Sequence, residues 1–455
     1  MVLSAAVFKA NDIRGRAEGP HPEWDVEAAR LIGNAFVQVL GPAGASVIVG
    51  RDMRTSGEEM SAAFIDGART AGADIVDLGL VSSDALWYAS GVLKVPGAMF
   101  TASHNPAEDN GVKFCLAGAA PVTPTMLTRI RDLSLAGSTV VAERVGALDS
   151  RSILADYGAY LRSRVDLDGW RPLRVVVDAG NGMAGLTTPV VLGPLDLEIN
   201  GLYFDLDGTF PHHMPNPLIP ENLVDARAEV RRRGADLGLV FDGDADRCFV
   251  LDERGEVVSP SVVTALIARQ ELVGEPGGTI VVNTITSRSV ADEVVAAGGR
   301  IVVSPVGHTA VKAHMAAHGA VFGGEHSAHY YFRDFWGADT GMLAALHMLS
   351  MLGRSSGSMS ALAAQVGSYA GSGEINLQIS DVGAATARIE AAFAGRGRAA
   401  AGDGLTVSGE GWWVNVRASN TEPLVRLNVE AGTSAEMIDL RDEALSILRE
   451  GSHDD

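Results

Sequence analysis

The segment Asp242-Gly-Asp-Ala-Asp-Arg247 sets three carboxylates at alternate positions, between the apolar runs Leu237-Gly-Leu-Val-Phe241 and Cys248-Phe-Val-Leu251. Crowding three negative charges into one turn is costly unless a cation neutralises them, and hard oxygen ligands of this kind suit a divalent ion. A solvated acidic loop is the plain alternative, but such loops are seldom framed by two buried strands. Asp242, Asp244, Asp246 and Glu253 also fall on positions one, three, five and twelve of an EF-hand calcium loop. That loop needs glycine at its sixth position, where this chain has Arg247, and its flanks should be helices. The EF-hand is rejected.

Three further segments carry chemical groups. Thr101-Ala-Ser-His-Asn-Pro106 follows the apolar run 95–100, and Asn105-Pro106 ends regular structure. Ser103 therefore sits on a loop at a strand end, beside His104 and ahead of Lys113. It is either a nucleophile toward phosphorus or a member of an ordinary Ser/Asn turn. Gly323-Gly-Glu-His-Ser-Ala-His329 offers Glu325, Ser327 and two imidazoles on a Gly-rich loop. Glu325 can accept hydrogen bonds from adjacent sugar hydroxyls, and Ser327 adds another contact; His326 or His329 serves equally as a satisfied structural histidine. Arg417-Ala-Ser-Asn-Thr-Glu-Pro423 collects a guanidinium, two hydroxyls and an amide. Such a set grips phosphate, or it is a polar turn or helix cap. Together the four segments supply a nucleophile, a metal site, a polyol reader and a phosphate clamp, one in each of four proposed domains, which calls for a central cleft.

The elements that must position these groups are legible as patterns. Residues 45–52, 173–182 and 279–284 share one rhythm: a β-branched apolar run, a polar turn, then a helix-like segment such as 56–71 or 287–297. Short runs of this kind read as buried strands, and strands alternating with helices imply parallel sheets. Residues 374–380, 411–417 and 424–430 instead alternate apolar and polar side chains, as antiparallel strands with one covered face do. The expected fold class is α/β: three related mixed α/β domains at 1–150, 151–256 and 257–369, and a C-terminal α+β domain at 370–455. Linkers are expected near 148–151, 252–259 and 367–373.

Composition bounds the function. The chain has 455 residues, 47% hydrophobic and 6% aromatic, with 53 glycines. This is ordinary multidomain globular material. No apolar run approaches the ~20 residues needed to cross a membrane. The first residues lack the basic and apolar segments of a signal peptide, and two cysteines, Cys115 and Cys248, make a disulfide framework improbable. A cytoplasmic protein without a membrane partner is expected. The net charge of −20, from 36 Lys+Arg against 56 Asp+Glu, argues against nucleic acid. An anionic substrate then requires a local cluster of cations.

The four motifs, with Phe8-Lys-Ala-Asn-Asp-Ile-Arg-Gly15 and Gly50-Arg-Asp52, resemble the α-D-phosphohexomutase superfamily, and within it the bacterial phosphomannomutase/phosphoglucomutase group. The resemblance covers nearly the whole chain and implies four domains, three of a related α/β type. It implies a phosphate on Ser103, and Mg²⁺ held by Asp242, Asp244 and Asp246 together with that phosphoserine. It implies sugar reading by Glu325 and Ser327, and a grip on the non-reacting phosphate by Arg417, Ser419, Asn420 and Thr421. Arg14, His104, Lys113, Arg247, His308 and His329 would surround the transfer site and supply the cations. The chain departs from the usual pattern at Asn11, often Tyr; at Ala245, usually Gly and tolerable if φ is negative; and at His326 and Ala328 of the sugar loop. These departures bear on sugar preference, not on reaction type.

The implied reaction moves a phosphoryl group between C1 and C6 of mannose or glucose through a hexose 1,6-bisphosphate, which also serves as activator. No obligate protein partner is implied. Phosphoglucosamine mutase, whose sugar loop usually has Gln at position 326, ranks second. A non-catalytic sugar-phosphate sensor on the same fold is the rival of another class, against which Ser103 and the three aspartates argue.

Overall fold

The computed structural model describes residues 1–41, 44–379, 381–418 and 424–450. Its first three modules repeat one sheet plan. In the first, Asp74–Leu80, Ser46–Arg51 and Gly97–Phe100 lie parallel, followed by antiparallel Asp109–Cys115 and Ile13–Arg16. In the second the same places are taken by Leu197–Leu202, Leu173–Asp178, Leu237–Phe241, Cys248–Leu251 and Val257–Val258. In the third they are Arg300–Ser304, Thr279–Asn283, Phe322–Gly324, Tyr330–Phe332 and Ala338–Asp339. The expected central strands are thus parallel and buried, as their unbroken apolar runs require. Helices Gly57–Thr70 and Arg288–Ala296 follow where helical spacing predicts them.

The repeated plan has a consequence for the site. In every module the turn between the third and fourth strands crosses from a parallel to an antiparallel neighbour. Those three turns are the Ser103 loop, the Asp242–Arg247 loop and the Glu325–His329 loop.

The segments expected as linkers each contain a short strand. Leu148–Ser150 extends the first sheet, Val257–Val258 closes the second, and Ala370–Gly371 joins the terminal sheet. Unpaired backbone groups at sheet edges recruit the connecting chain, a gain that composition does not display.

The first three modules share one continuous apolar cluster, reaching from Ile48 and Trp87 through Val175 to Ile280 and Leu343. Asp84 joins them by accepting hydrogen bonds from Ser82, from Tyr157 (2.6 Å) and from Thr340 (2.7 Å). Nearby, Tyr160 stacks on Trp336 with centroids 5.3 Å apart. A Cβ on Gly91 would lie 2.3 Å from the Trp336 ring, so only glycine admits that ring. The terminal module has its own core, between an antiparallel sheet containing Trp412–Ala418 and Val425–Ala431 and the helices Val382–Ala392 and Ser434–Arg449. Among the described residues no helix is long and apolar enough to cross a membrane.

Candidate active site between the modules

The three equivalent turns and the terminal sheet face a cleft of about 550 Å³. Arg14, Ser103, His104, Lys113, Asp246, Arg247, His308, His329 and Arg417 all line it. Sequence reasoning placed each of these in the site, and the fold brings them together from four modules. Ser419, Asn420 and Thr421 lie outside the described residues.

Ser103 is held in a conformation that few side chains adopt. Its φ is +51°, in the left-handed region, and its N–H donates to Thr101 Oγ1 at 2.8 Å. A non-glycine residue there costs about 1–2 kcal/mol, so the surrounding contacts must impose it. Its hydroxyl donates to Asp242 Oδ2 at 2.8 Å and lies 3.3 Å from both Arg247 Nη2 and His104 Nδ1. Arg247 donates to His104 Nδ1, which fixes that nitrogen as an acceptor. Burial, reinforced by the Arg247 and Arg14 charges, holds His104 well below its ordinary pKa, so the ring is neutral at pH 7.

The Asp242–Arg247 loop is buried throughout. Asp242 accepts from Arg247 Nε at 2.8 Å. Burial pushes its carboxyl up to about 7, with Arg247 opposing and the Asp246 and Asp244 charges adding to the rise. Asp244 accepts from Ser83 Oγ (2.5 Å) and Lys113 Nζ (2.6 Å), and Lys113 also reaches Asp246 at 2.5 Å. Burial works against the Asp244 carboxylate, yet Lys113 beside it keeps its pKa below the usual range. Burial likewise works against the Lys113 ammonium, and the Asp244 and Asp246 charges more than offset it, leaving its pKa raised. Asp244 Oδ1 and Asp246 Oδ1 are buried with no hydrogen-bond donor. Carboxylate oxygens from all three aspartates lie within 4.8 Å of one another. A close-set group of three buried carboxylates, two of them with an oxygen lacking a donor, fits a hard divalent cation.

The family resemblance carried the condition that Ala245 has negative φ. It does not: φ is +61°, and Ala328 in the sugar loop has φ +65°. At both positions the chain keeps alanine in the left-handed region where glycine is usual. Each turn needs that angle to cross between parallel and antiparallel strands, and the packing on either side imposes it.

Glu325 is buried behind the cleft surface, its carboxylate already fixed on both oxygens. Oε1 accepts from Tyr331 (2.5 Å), and Oε2 from Asn283 (2.8 Å) and the Gly307 N–H (3.1 Å). Acceptor capacity remains on Oε1, now in a set direction. Ser327 Oγ lies 2.9 Å from His329 Nδ1, while His329 Nε2 lies 3.7 Å from Asp246. His308 is held down to about 4 by burial, with the Lys312 charge adding. His326 bonds Ser261 Oγ at 3.1 Å. Arg417 donates through Nη1 to Asn415 (3.1 Å) and Asn428 (2.8 Å), and through Nη2 to Glu374. Its guanidinium is therefore set in plane before any ligand binds.

Sequence reasoning missed the residues that hold these groups: Arg54, Ser83, Thr101, Asn283, Tyr331, Glu374, Asn415 and Asn428. Apart from Thr101, which opens the Ser103 segment, none belongs to a chemically suggestive cluster. The one available signal was position, since Arg54 and Asn283 follow or end the central strands that face the site.

The family models for phosphoglucomutase/phosphomannomutase match along the chain. The alpha/beta/alpha domains I, II and III cover residues 5–139, 155–255 and 259–369, and the C-terminal domain covers 374–447. A phosphomannomutase of Salmonella montevideo is 36% identical over 97% of this chain and 98% of its own. A phosphomannomutase/phosphoglucomutase of Pseudomonas putida is 36% identical over 97% of this chain and 95% of its own. A crystal structure of a phosphoglucomutase/phosphomannomutase family protein from Burkholderia thailandensis superposes with a TM-score of 0.91, at 32% identity and 99% coverage of each chain.

Proposed function

The chain belongs to the phosphoglucomutase/phosphomannomutase family and is a phosphohexomutase, and from that premise we propose that it interconverts the 1- and 6-phosphates of mannose, and also of glucose, through a phosphate carried on Ser103. The observation that carries this reading is the placement of Ser103. A strained, buried hydroxyl sits 2.8 Å from Asp242 and 3.3 Å from Arg247, in a cleft whose far side presents Arg417. Residues 1–150 then supply the nucleophile, 151–256 the metal loop, 257–369 the sugar reader and 370–455 the phosphate clamp.

Phosphoryl transfer asks for in-line positioning and charge neutralisation more than covalent help from side chains. Ser103, once phosphorylated, donates to the free hydroxyl of a bound hexose monophosphate, and the resulting 1,6-bisphosphate turns end for end before returning its other phosphate. Arg417, with Ser419, Asn420 and Thr421, grips whichever phosphate is not reacting. Glu325 and Ser327 bind hydroxyls common to both orientations. Mannose and glucose differ at C2, which these two residues do not contact in this reading. Arg14, Lys113 and Arg247 balance the phosphate charges; His104 and His308, expected among the cations, are instead held neutral by burial, and with His329 they are the groups that relay the proton. Asp242, Asp244 and Asp246, with the phosphoserine, would hold Mg²⁺, which supplies neutralising charge at the phosphoryl oxygens. Hexose 1,6-bisphosphate acts as activator by rephosphorylating Ser103, and the cytoplasm is the proposed compartment.

Intact-mass measurement after incubation with glucose 1,6-bisphosphate tests the reading. It should show a species heavier by one phosphoryl group, ~80 Da, in the native chain and none in Ser103→Ala. Undiminished mutase activity of Ser103→Ala would overturn it.

A further inference from the structure

Behind the nucleophile loop lies a cation that the reaction scheme does not use. Arg54 follows the central strand Ser46–Arg51 of the first module and is 2% exposed. Its two terminal nitrogens donate to four main-chain carbonyls of the loop that carries Ser103. Nη1 reaches Pro106 O (2.6 Å) and Asp109 O (2.8 Å), and Nη2 reaches Ser103 O (2.9 Å) and Asn105 O (2.7 Å). The face of the guanidinium lies over Phe210 of the second module, 5.2 Å from its ring centre. A Cβ on Gly208 would meet Arg54 Cα at 2.6 Å, so glycine there lets the second module close on the arginine.

Four carbonyl oxygens aimed at one point repel one another, and buried away from water they need donors. A planar fork with parallel donors satisfies all four at once, which a lysine ammonium with three donors cannot do. The Ser103 carbonyl that accepts from Arg54 also bears on the metal loop, since a Cβ on Gly243 would lie 2.4 Å from it. The same carbonyl therefore sets how closely the Ser103 backbone approaches Asp242–Arg247. The other modules place a comparable tie at the same point of the plan. The Met183 N–H donates to Gly243 O at 2.9 Å, and Asn283 donates to Glu325 at 2.8 Å.

We infer that Arg54, itself paired with the buried Asp52 at 3.5 Å, is a positioning residue for phosphoryl transfer, holding Ser103 in its left-handed conformation against the metal loop. This deepens the phosphoserine reading and rests on it. Arg54 does not line the cleft, so its loss should act on turnover rather than on substrate capture.

The test compares the full-length native chain with Arg54→Lys and Arg54→Ala, using glucose 1-phosphate with saturating glucose 1,6-bisphosphate, intact mass and Tm. A misplaced reacting group costs on the order of 10²-fold, so kcat should fall by about that factor with KM little changed. Phosphate uptake on Ser103 should slow in step. Added guanidinium ion, at concentrations that leave the native chain folded, should restore part of the Arg54→Ala activity and none of the Arg54→Lys activity. If Arg54→Ala does not fold, Arg54→Lys decides. A kcat for Arg54→Lys close to that of the native chain overturns the inference, as does a loss that tracks Tm and raises KM without guanidinium rescue. Phosphorylated native protein with normal Arg54 variants overturns this inference alone. Native protein that takes up no phosphate overturns the phosphoserine reading and this inference with it.

Discussion

Asp403 of the terminal module accepts the main-chain N–H of Val306, in the third module, at 3.0 Å. The next amide, Gly307 N–H, donates to Glu325 at 3.1 Å. Two successive amides are thus held by carboxylates from two modules, and His308 follows directly. In the proposed function, the span between the phosphate clamp and the sugar reader depends on this loop. Asp403→Ala should remove about 1 kcal/mol of a partly exposed charge-assisted hydrogen bond, seen as a roughly fivefold higher KM with Tm nearly unchanged. Asp403→Asn, which keeps an acceptor, should recover most of the loss. Equal KM values for all three proteins would show that the contact does not set the span.

Arg417 and Glu325 should fail in different ways. Arg417 is oriented by Asn415, Asn428 and Glu374, and in the proposed function it holds a phosphate that stays bound throughout transfer. Arg417→Ala should cost ~1.5–3 kcal/mol, mostly in KM. Glu325→Ala frees Tyr331 and Asn283 as well as the sugar, so kcat should fall too, and more free bisphosphate should escape during turnover. Assay of released 1,6-bisphosphate separates the two, and equal escape from both variants would refute the reading role of Glu325.

The donor-free oxygens of Asp244 and Asp246 predict a metal requirement. Chelation should abolish turnover and Mg²⁺ should restore it. Asp246→Asn removes the negative charge of one of those ligands and should cost at least ~10²-fold in kcat even at high Mg²⁺. Full activity in metal-free buffer would contradict the assignment.

Asp84 predicts a pH effect on stability. Burial pushes its carboxyl up to about 6, from an ordinary value of 3.8, although Ser82, Tyr157 and Thr340 all donate to it and pull the other way. Because the folded pKa lies above the unfolded one, the native state binds this proton more tightly. Its contribution is fully present below about 4 and is lost as pH rises through 6. A shift of this size corresponds to on the order of 3 kcal/mol. Asp84→Asn should therefore flatten the fall in Tm between pH 4 and 6 relative to the native chain. Parallel Tm profiles for the two proteins would show that Asp84 does not titrate in that window.

What the sequence determined by itself was composition-level and local. The apolar runs around residues 48, 176 and 281 had no polar face to turn outward, so they had to become buried parallel strands. Asp242, Asp244 and Asp246 are close in the chain, so their mutual repulsion was legible without a fold. The alternation at 411–417 and 424–430 likewise announced an antiparallel sheet. Tertiary structure decided the rest, because it depends on pairs far apart in the chain. Lys113 meets Asp244 across 131 positions, and Thr340 meets Asp84 across 256. Edge strands formed in the segments expected as linkers, since backbone pairing is indifferent to side-chain type. Ala245 and Ala328 took left-handed angles because the strands flanking each turn are fixed by packing, which overrides the local preference of alanine. Arg54 carried no motif at all. Its part follows from four carbonyls that only the folded loop brings to one point.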